Sequence, residues 1–593
     1  MVSRWAYLGR DIEAAAAWTA RFGGAEPLDV SERFRALTHA HRRDFLDWIA
    51  ELGAGESDVL RWYTSRISEQ NPLVEKMYQR CCLHLTGMAI AAEATEPLTL
   101  VCEDPDVFRS LREALPQART QWPFVPSPAF AESGYEQARF VAKAVLHLRR
   151  AWRDRVLARR TRAAAPTMGA PLFAPREGGT GKRILIHACL DPSLLTTGYD
   201  RYFTALPNRL RALGHTVVIL PWIYLDGGKR ELFYEWFAAH AEQFVLSDAY
   251  YTLGDYLWSL WQVWRLGGSP ARAGRFLGHP AHHWLRRSRL RQGNDVTLAH
   301  FFRYYLLAGH LHRAGARYDV FVDTFENMVA EKPMVLGLRR EAPEVRTIGY
   351  QHWASPAPLM LCNFVSRNDR RNPLPDRIVA YSAFTQEILE AEGYPADRVV
   401  AGPSLRYADP PLAVRLPDGE LQALVVLSME VTQAIATLRM YRCGLARCAP
   451  DVQQRVRSRI KPHPMTTDAE WARIAQAAEL PPTGFERVGG GLQEQLEGAH
   501  FAVTAASTAV IEIAMAGRPL IQLSLWMELE LDSLAWFGDR FPTVSDVEAL
   551  TRAITRIAEA DATFFTHWHE VGGELHARCI APLTDETARL FAF

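Results

Sequence analysis

Short apolar bursts, rich in β-branched residues, alternate with stretches of helical periodicity over two long parts of this chain. Arg183-Ile-Leu-Ile-His-Ala-Cys189, a helical stretch over 200–213 and Thr216-Val-Val-Ile-Leu220 make a strand–helix–strand unit. The runs YDVFVD (318–323), VRTIGYQ (345–351) and RIVAYS (377–382) extend it, whereas 230–316 has few strand signals and reads as mostly helical. A segment rich in Pro, Asp and Arg over 402–418 reads as a linker. Beyond it the alternation restarts, with strands LQALVVLS (421–428), SRIKPHP, FAVTAAS and PLIQLSL, and helices over 468–479, LQEQLEGA and STAVIEIAMAG. Such alternation predicts parallel sheets covered by helices. The expected fold class is α/β, with two doubly wound, Rossmann-like domains facing a cleft lined by the carboxyl ends of both sheets. The first would span 1–403, with helical insertions at about 121–180 and 230–316, and the second 419–593.

The first 120 residues look mixed α/β, with a strand at Leu98-Thr-Leu-Val-Cys102 leading through Glu103-Asp-Pro-Asp106 into a helix, VFRSLREAL. Residues 122–133 read as a loop, and 135–162 as a long helix in which Val141, Val145, Leu148, Trp152 and Val156 recur at helical spacing. Arg149, Arg150, Arg153, Arg155, Arg159 and Arg160 crowd its other faces, and 163–182 reads as a flexible linker.

Composition narrows the class further. With 593 residues the chain is too long for one core, and 48% hydrophobic with 23% charged residues is an ordinary globular balance. Lys+Arg and Asp+Glu both number 67, so no net field selects nucleic acid, and none is expected as a partner. No apolar run is long enough to span a bilayer, and Arg10, Asp11 and Glu13 interrupt any signal-peptide core. The eight cysteines show no zinc-module spacing and read as reduced thiols of a cytoplasmic protein. The basic helix over 135–162, with Trp258, Trp261, Trp264 and Arg265, suggests peripheral adsorption to an anionic membrane face; a solvated basic face is the alternative.

Two patterns carry chemistry. Arg459-Ile-Lys461-Pro462-His463-Pro464 lies where a strand runs out, so Lys461 offers a point charge and His463 a donor to a phosphoryl oxygen. Thr504-Ala-Ala-Ser507-Thr508 ends the next strand with two hydroxyls that open a helix, where free N–H groups suit an anion. Glu512, one turn in, is placed to reach a ribose diol. Plain N-capping explains Ser507 equally well on its own, and His463 on its own is equally a loop residue stiffened by prolines.

The order KPHP, then a strand ending in Ser-Thr, then Glu512 and Gly517-Arg-Pro519 resembles the donor half of GT-B glycosyltransferases. It is most similar to bacterial sialyltransferases and related capsule or lipopolysaccharide enzymes. The resemblance implies that His463-Pro464 contacts the phosphate of a CMP-activated donor and that Ser507-Thr508 binds it from the opposite side, with Ser428 a further nucleotide contact. It implies a nonulosonate (sialic-acid-like) or Kdo donor, a glycan or lipid-linked acceptor, no metal and no cofactor besides the donor itself. Thr324-Phe-Glu326-Asn327, Gly349-Tyr-Gln351-His352, Pro375-Asp-Arg-Ile378 and Arg406-Tyr407 are similar to surface-carbohydrate biosynthesis proteins.

An inverting transfer needs a base for the acceptor hydroxyl. The sialyltransferase acidic-acidic-Gly motif has no evident copy here, so the base stays open among Glu326, Asp323, Asp200 and His352, with Glu326 the first choice and helix capping the competing role for Asp200. Asp104-Pro-Asp106 is a D-x-D, which holds a metal in another transferase class and equally caps a helix. A CDP-linked polyol-phosphate transferase and a scaffold without catalysis are the alternative functions.

Overall fold

The computed structural model describes residues 4–25, 27–116, 119–121 and 129–175, then 181–224, 227–268, 274–406, 409–505 and 507–593, with backbone only at 119–121 and 129–138. Its β-strands form three parallel sheets and one hairpin. Strands β1 (Trp5–Leu8), β2 (Thr99–Cys102) and β3 (Arg119–Gln121) pair in that order as a small N-terminal sheet. A second sheet is built from β4 (Arg183–Leu190) and β5 (Thr216–Ile223), then, past a hairpin of β6 (Arg275–Phe276) and β7 (His279–Pro280), from β8 (Val320–Thr324), β9 (Arg346–Tyr350), β10 (Arg377–Ala380) and β11 (Val399–Ala401). Its order is β11-β10-β9-β8-β4-β5. The third contains β12 (Leu421–Val426), β13 (Val456–Lys461), β14 (Phe485–Arg487), β15 (Phe501–Ala505), β16 (Leu520–Leu523) and β17 (Thr543–Val544), ordered β14-β13-β12-β15-β16-β17.

The two six-stranded sheets are the doubly wound pair expected from the alternation. Their central strands read as continuous apolar runs because helices cover both faces: Ile184, Leu185 and Ile186 of β4 and Leu424 and Val425 of β12 are fully buried. Each order reverses once, between β4 and β8 in the second sheet and between β12 and β15 in the third, and such reversals open a crevice at the strands' carboxyl ends.

The segment before residue 183 differs in detail from expectation. Among the described residues, 1–403 holds two parallel sheets besides the hairpin, since β1–β3 stand apart from the second. The long helix runs over Ala129–Ala164, so part of the expected loop is helical, and 122–128 lie outside the described residues. Its core side is Phe140, Ala144, Leu148 and Ala151, whereas Val141, Val145 and Trp152 of the expected stripe are exposed. The expected flexible linker is partly ordered: Met168 and Leu172 are buried, and the Leu172 carbonyl accepts the Arg317 N–H at 2.8 Å; 176–180 lie outside the described residues.

The N-terminal unit touches both doubly wound domains. Arg10 reaches Glu430 and Glu528 of the C-terminal domain at 3.0 and 3.1 Å, and Lys76 reaches Glu430 at 2.7 Å. On the other side the Arg42 fork grips Glu392 (Nη2 to Oε1 2.7 Å), and Arg66 meets Asp295 at 2.8 Å. The C-terminal tail also crosses back: the Leu590 carbonyl accepts from Arg377, and Arg377 lies 3.5 Å from the Phe593 ring.

Helix Ala562–Cys579 packs against helix Ala509–Met515 through a glycine contact. A Cβ on Gly572 would lie 2.6 Å from Gly517 Cα and 2.9 Å from the Ala514 carbonyl oxygen. These are backbone atoms, so no side chain can yield. Gly572→Leu is expected to cost about 3 kcal/mol and lower the thermal midpoint, whereas Gly573→Ala, with nothing within 4 Å, leaves it unchanged or slightly higher. Equal midpoints for Gly572→Leu and wild type would contradict this packing.

Candidate functional site

At the reversal of the third sheet the strand ends present the candidate phosphate-binding groups. Ser428 follows β12, and its hydroxyl donates to the Glu430 carbonyl at 3.3 Å. Lys461 ends β13 and is buried; desolvation lowers its pKa, while the charges of Glu512 and Glu494 work against that shift. His463, two residues on, accepts the Met465 N–H on Nδ1 at 3.2 Å, which leaves the neutral ring's proton on Nε2 as a free donor. Burial, then the positive charges of Arg201 and Lys461, lower the His463 pKa. Pro464 is exposed.

Ser507 and Thr508 follow β15. Ser507 does the capping that its position allows, accepting the Ala509 N–H on Oγ at 3.3 Å, while the Thr508 side chain makes no capping bond to the helix. Glu512, half-buried in that helix, lies close enough to raise Lys461. Lys461 and Glu512 are thus brought together across two strand ends.

The second sheet gathers the candidate bases at its own reversal. Asp323 of β8 sits opposite His187 of β4 and is buried in a directed chain of hydrogen bonds. Arg303 Nη2 donates to His300 Nδ1 (3.3 Å), His300 Nε2 meets the Tyr304 hydroxyl (2.8 Å), that hydroxyl meets His187 Nε2 (3.0 Å), and His187 Nδ1 meets Asp323 Oδ1 (2.9 Å). One proton arrangement satisfies every link, with both imidazoles neutral and Asp323 ionised. Burial raises the Asp323 pKa and His187 opposes it.

Glu326, three residues further, is half-buried and accepts from Trp353 Nε1 and His352 Nε2, both at 2.8 Å. Its backbone N–H is fixed by the Glu331 carboxylate at 2.9 Å. His352 is buried, and desolvation lowers its pKa, with Glu326 raising it and Arg406 and Arg201 lowering it further. Asp200 caps no helix, since the next one spans Leu206–Ala212, but it closes the turn before it: its Oδ1 accepts the Tyr202 and Phe203 N–H groups at 2.8 and 2.7 Å, and burial pushes its pKa up to about 6.

A cavity of about 1030 Å³ opens at this edge, walled by the ends of β4, β5 and β8 and by the helices Ala129–Ala164 and Leu298–Arg313. Of the candidate residues, Glu326 and His352 line it, and Asp323, Asp200 and the groups of the third sheet do not. Sequence reasoning missed Arg201, which follows Asp200 and acts on both His352 and His463, and the chain from Arg303 to His187, in which His187 lies over a hundred residues before the helix that supplies the rest.

Asp104 accepts the Asp106 and Val107 N–H groups and pairs with Arg80 at 2.9 Å, while Asp106 pairs with Arg109 at 3.0 Å. Both carboxylates of the D-x-D are therefore engaged in capping and ion pairing. Glu113, His282 and His283 bring ligand atoms within 4.8 Å of one another outside the cavity lining. Among the described residues no helix is long and apolar enough to cross a membrane. Tyr407 lies outside the described residues.

No known protein family matches the chain, and no curated protein does. Solved structures with similar folds include Staphylococcus aureus MnaA with UDP (9% identity, TM-score 0.39, covering 69% of this chain and 94% of that one). A Neisseria meningitidis UDP-GlcNAc 2-epimerase bound to UDP-GlcNAc is similar at 9% identity and TM-score 0.40, over 67% and 97% of the two chains. Acinetobacter baumannii MurG is similar at 12% identity and TM-score 0.37, over 69% and 98%.

Proposed function

We propose that this protein is a nucleotide-sugar-dependent glycosyltransferase of the GT-B type, with its donor nucleotide at the reversal of the third sheet and its acceptor at the reversal of the second. What supports this reading is that the two sheets each reverse once and gather these groups at their strands' carboxyl ends, Lys461 and His463 at the end of one strand and Glu326 and His352 after others. The charge of Arg201, which lowers both His352 and His463, is consistent with one cleft between them. Lys461, the His463 Nε2–H, Ser507 and Thr508 stabilise charge on the departing nucleotide phosphate, Ser428 contacts the nucleotide, and Glu512 holds the ribose. Glu326, oriented by His352 and Trp353, takes the acceptor proton in an inverting step that needs no metal. The motif order favours a CMP-activated nonulosonate or Kdo as donor.

The acceptor is a surface glycan or a lipid-linked one. Val141, Val145 and Trp152 on the long helix and Leu257, Trp261 and Trp264 on helix Leu253–Gly268 are exposed beside Arg149, Arg153 and Arg159. That combination suits the face of an anionic bilayer and supports a peripheral position on the cytoplasmic side.

Calorimetric titration with CMP, CDP, UDP and GDP tests the donor assignment. CMP is expected to bind most tightly, with His463→Ala weakening it about tenfold, the loss of one charge-assisted hydrogen bond. Tighter UDP or GDP binding replaces the donor and keeps the reaction class. Binding of no nucleotide overturns the proposal.

A further inference from the structure

The cavity has a cationic end that proton abstraction at Glu326 does not use. Arg303 lines it while only 2% exposed, and among the described residues no carboxylate forms an ion pair with it. Its Nη1 donates to His147 Nε2 at 3.3 Å and to the Ala299 carbonyl at 3.2 Å, its Nη2 donates to His300, and its Nε makes no hydrogen bond. The Tyr256 ring, 4.6 Å away, offers a cation–π contact.

Two of the acids around this end are paired with other arginines, and a third, Asp248, is held by a hydroxyl. Arg230 holds Asp154 through two bonds of 2.6 Å, Arg66 holds Glu69 at 2.6 Å, and Asp248 accepts the Tyr256 hydroxyl at 2.9 Å. The two imidazoles are neutral. Burial, then Arg303 and Arg150, push His147 down to about 4, and burial with Arg303 and His147 holds His300 well below its usual value. Since His147 Nε2 accepts from Arg303, its Nδ1 carries the proton. A buried guanidinium without a carboxylate partner, a second arginine and an imidazole N–H, drawn from two helices that wall the cavity, make an incomplete anion site, because a buried cation is costly until a counter-charge arrives.

We propose that this end of the cavity binds the phosphate of a phosphorylated acceptor, gripped by Arg303 and Arg150 on opposite helices. The inference rests on the acceptor side of the transferase reading and names the class of that acceptor. Guanidinium forks match phosphate oxygens, and a cavity of about 1030 Å³ has room for a sugar or lipid portion besides the anion.

Calorimetric titration of the full chain with inorganic pyrophosphate, without nucleotide, tests it. Saturable binding is expected, weakened about tenfold by Arg150→Gln, a change at an exposed position that spares the fold. Arg303→Lys, which keeps the charge and loses the fork, is expected to weaken it similarly, and His463→Ala to leave it unchanged. A prenyl phosphate binding more tightly than a hexose phosphate assigns the anion to a lipid carrier, and the reverse order to a phosphorylated sugar; either supports the site. No saturable binding, wild-type binding in both arginine variants, or acetate binding as tightly as pyrophosphate overturns it. Pyrophosphate binding lost only in His463→Ala also overturns it while leaving the donor reading standing, and retained pyrophosphate binding without any nucleotide binding does the converse.

Discussion

Glu326→Gln is expected to lower sugar transfer by about 10²- to 10⁴-fold while nucleotide affinity stays at the wild-type level. Gln keeps the length of the side chain, and its amide oxygen still accepts the Trp353 indole N–H that Glu326 holds at 2.8 Å. What disappears is the carboxylate lone pair that takes the acceptor proton in the proposed step. The competing carboxylates are placed for other roles: Asp200 accepts two backbone N–H groups, and Asp323 is buried behind His187 without lining the cavity. Single-turnover rates at saturating donor and acceptor separate chemistry from binding. A rate within about twofold of wild type, with the donor still bound, would remove Glu326 from the base role, since general-base loss costs far more.

The second large effect is on stability. His187→Leu is expected to destabilise the protein by about 3 kcal/mol at neutral pH, because it removes the hydrogen-bond donor of a buried carboxylate and leaves an ionised oxygen unsatisfied. Burial already raises the Asp323 pKa in the folded state, with His187 opposing, so the substitution raises it further. A carboxyl whose folded pKa exceeds its unfolded pKa is a penalty that is complete above the folded value and gone below the unfolded one. The deficit of His187→Leu against wild type therefore shrinks as pH falls through that window. Adding Asp323→Asn is expected to recover most of the loss at neutral pH. Thermal midpoints of the three proteins across acid to neutral pH decide it; a deficit that does not change with pH, or that Asp323→Asn deepens, shows that the His187–Asp323 pair is not what His187 supports.

The doubly wound domains were legible because their strands are buried on both faces and announce themselves as unbroken apolar runs, such as Ile184–Ile186 and Leu424–Val426. Strands β11, β14 and β17 were not, since they have three residues or fewer and Phe485-Glu-Arg487 is mostly polar. The long helix was found from its period, yet the apolar stripe read from it is only partly the side that packs on the core. Small residues such as Ala144 and Ala151 permit close packing and carry little hydrophobic signal, whereas the conspicuous Val141, Val145 and Trp152 face outward. At the site, motif order pointed to Lys461, His463, Ser507 and Thr508, because each pair stands at or just past the end of a strand, β13 or β15, that flanks β12 in one sheet. The chain from Arg303 through His300, Tyr304 and His187 to Asp323 had no such signature: one helix and strand β8 supply most of it, and His187 comes from β4, more than a hundred residues earlier.

The ion pairs of Arg10 and Lys76 with Glu430 and Glu528 have a consequence for any exchange of parts between this protein and others. A transplanted donor domain that lacks acids at those two positions strands two cations against the seam it is meant to close. On the proposed reading, nucleotide preference is then not a freely portable module here. It is inherited together with the first eighty residues, and a chimera that respects only the boundary near residue 410 is expected to lose its assembly before it shows any new specificity.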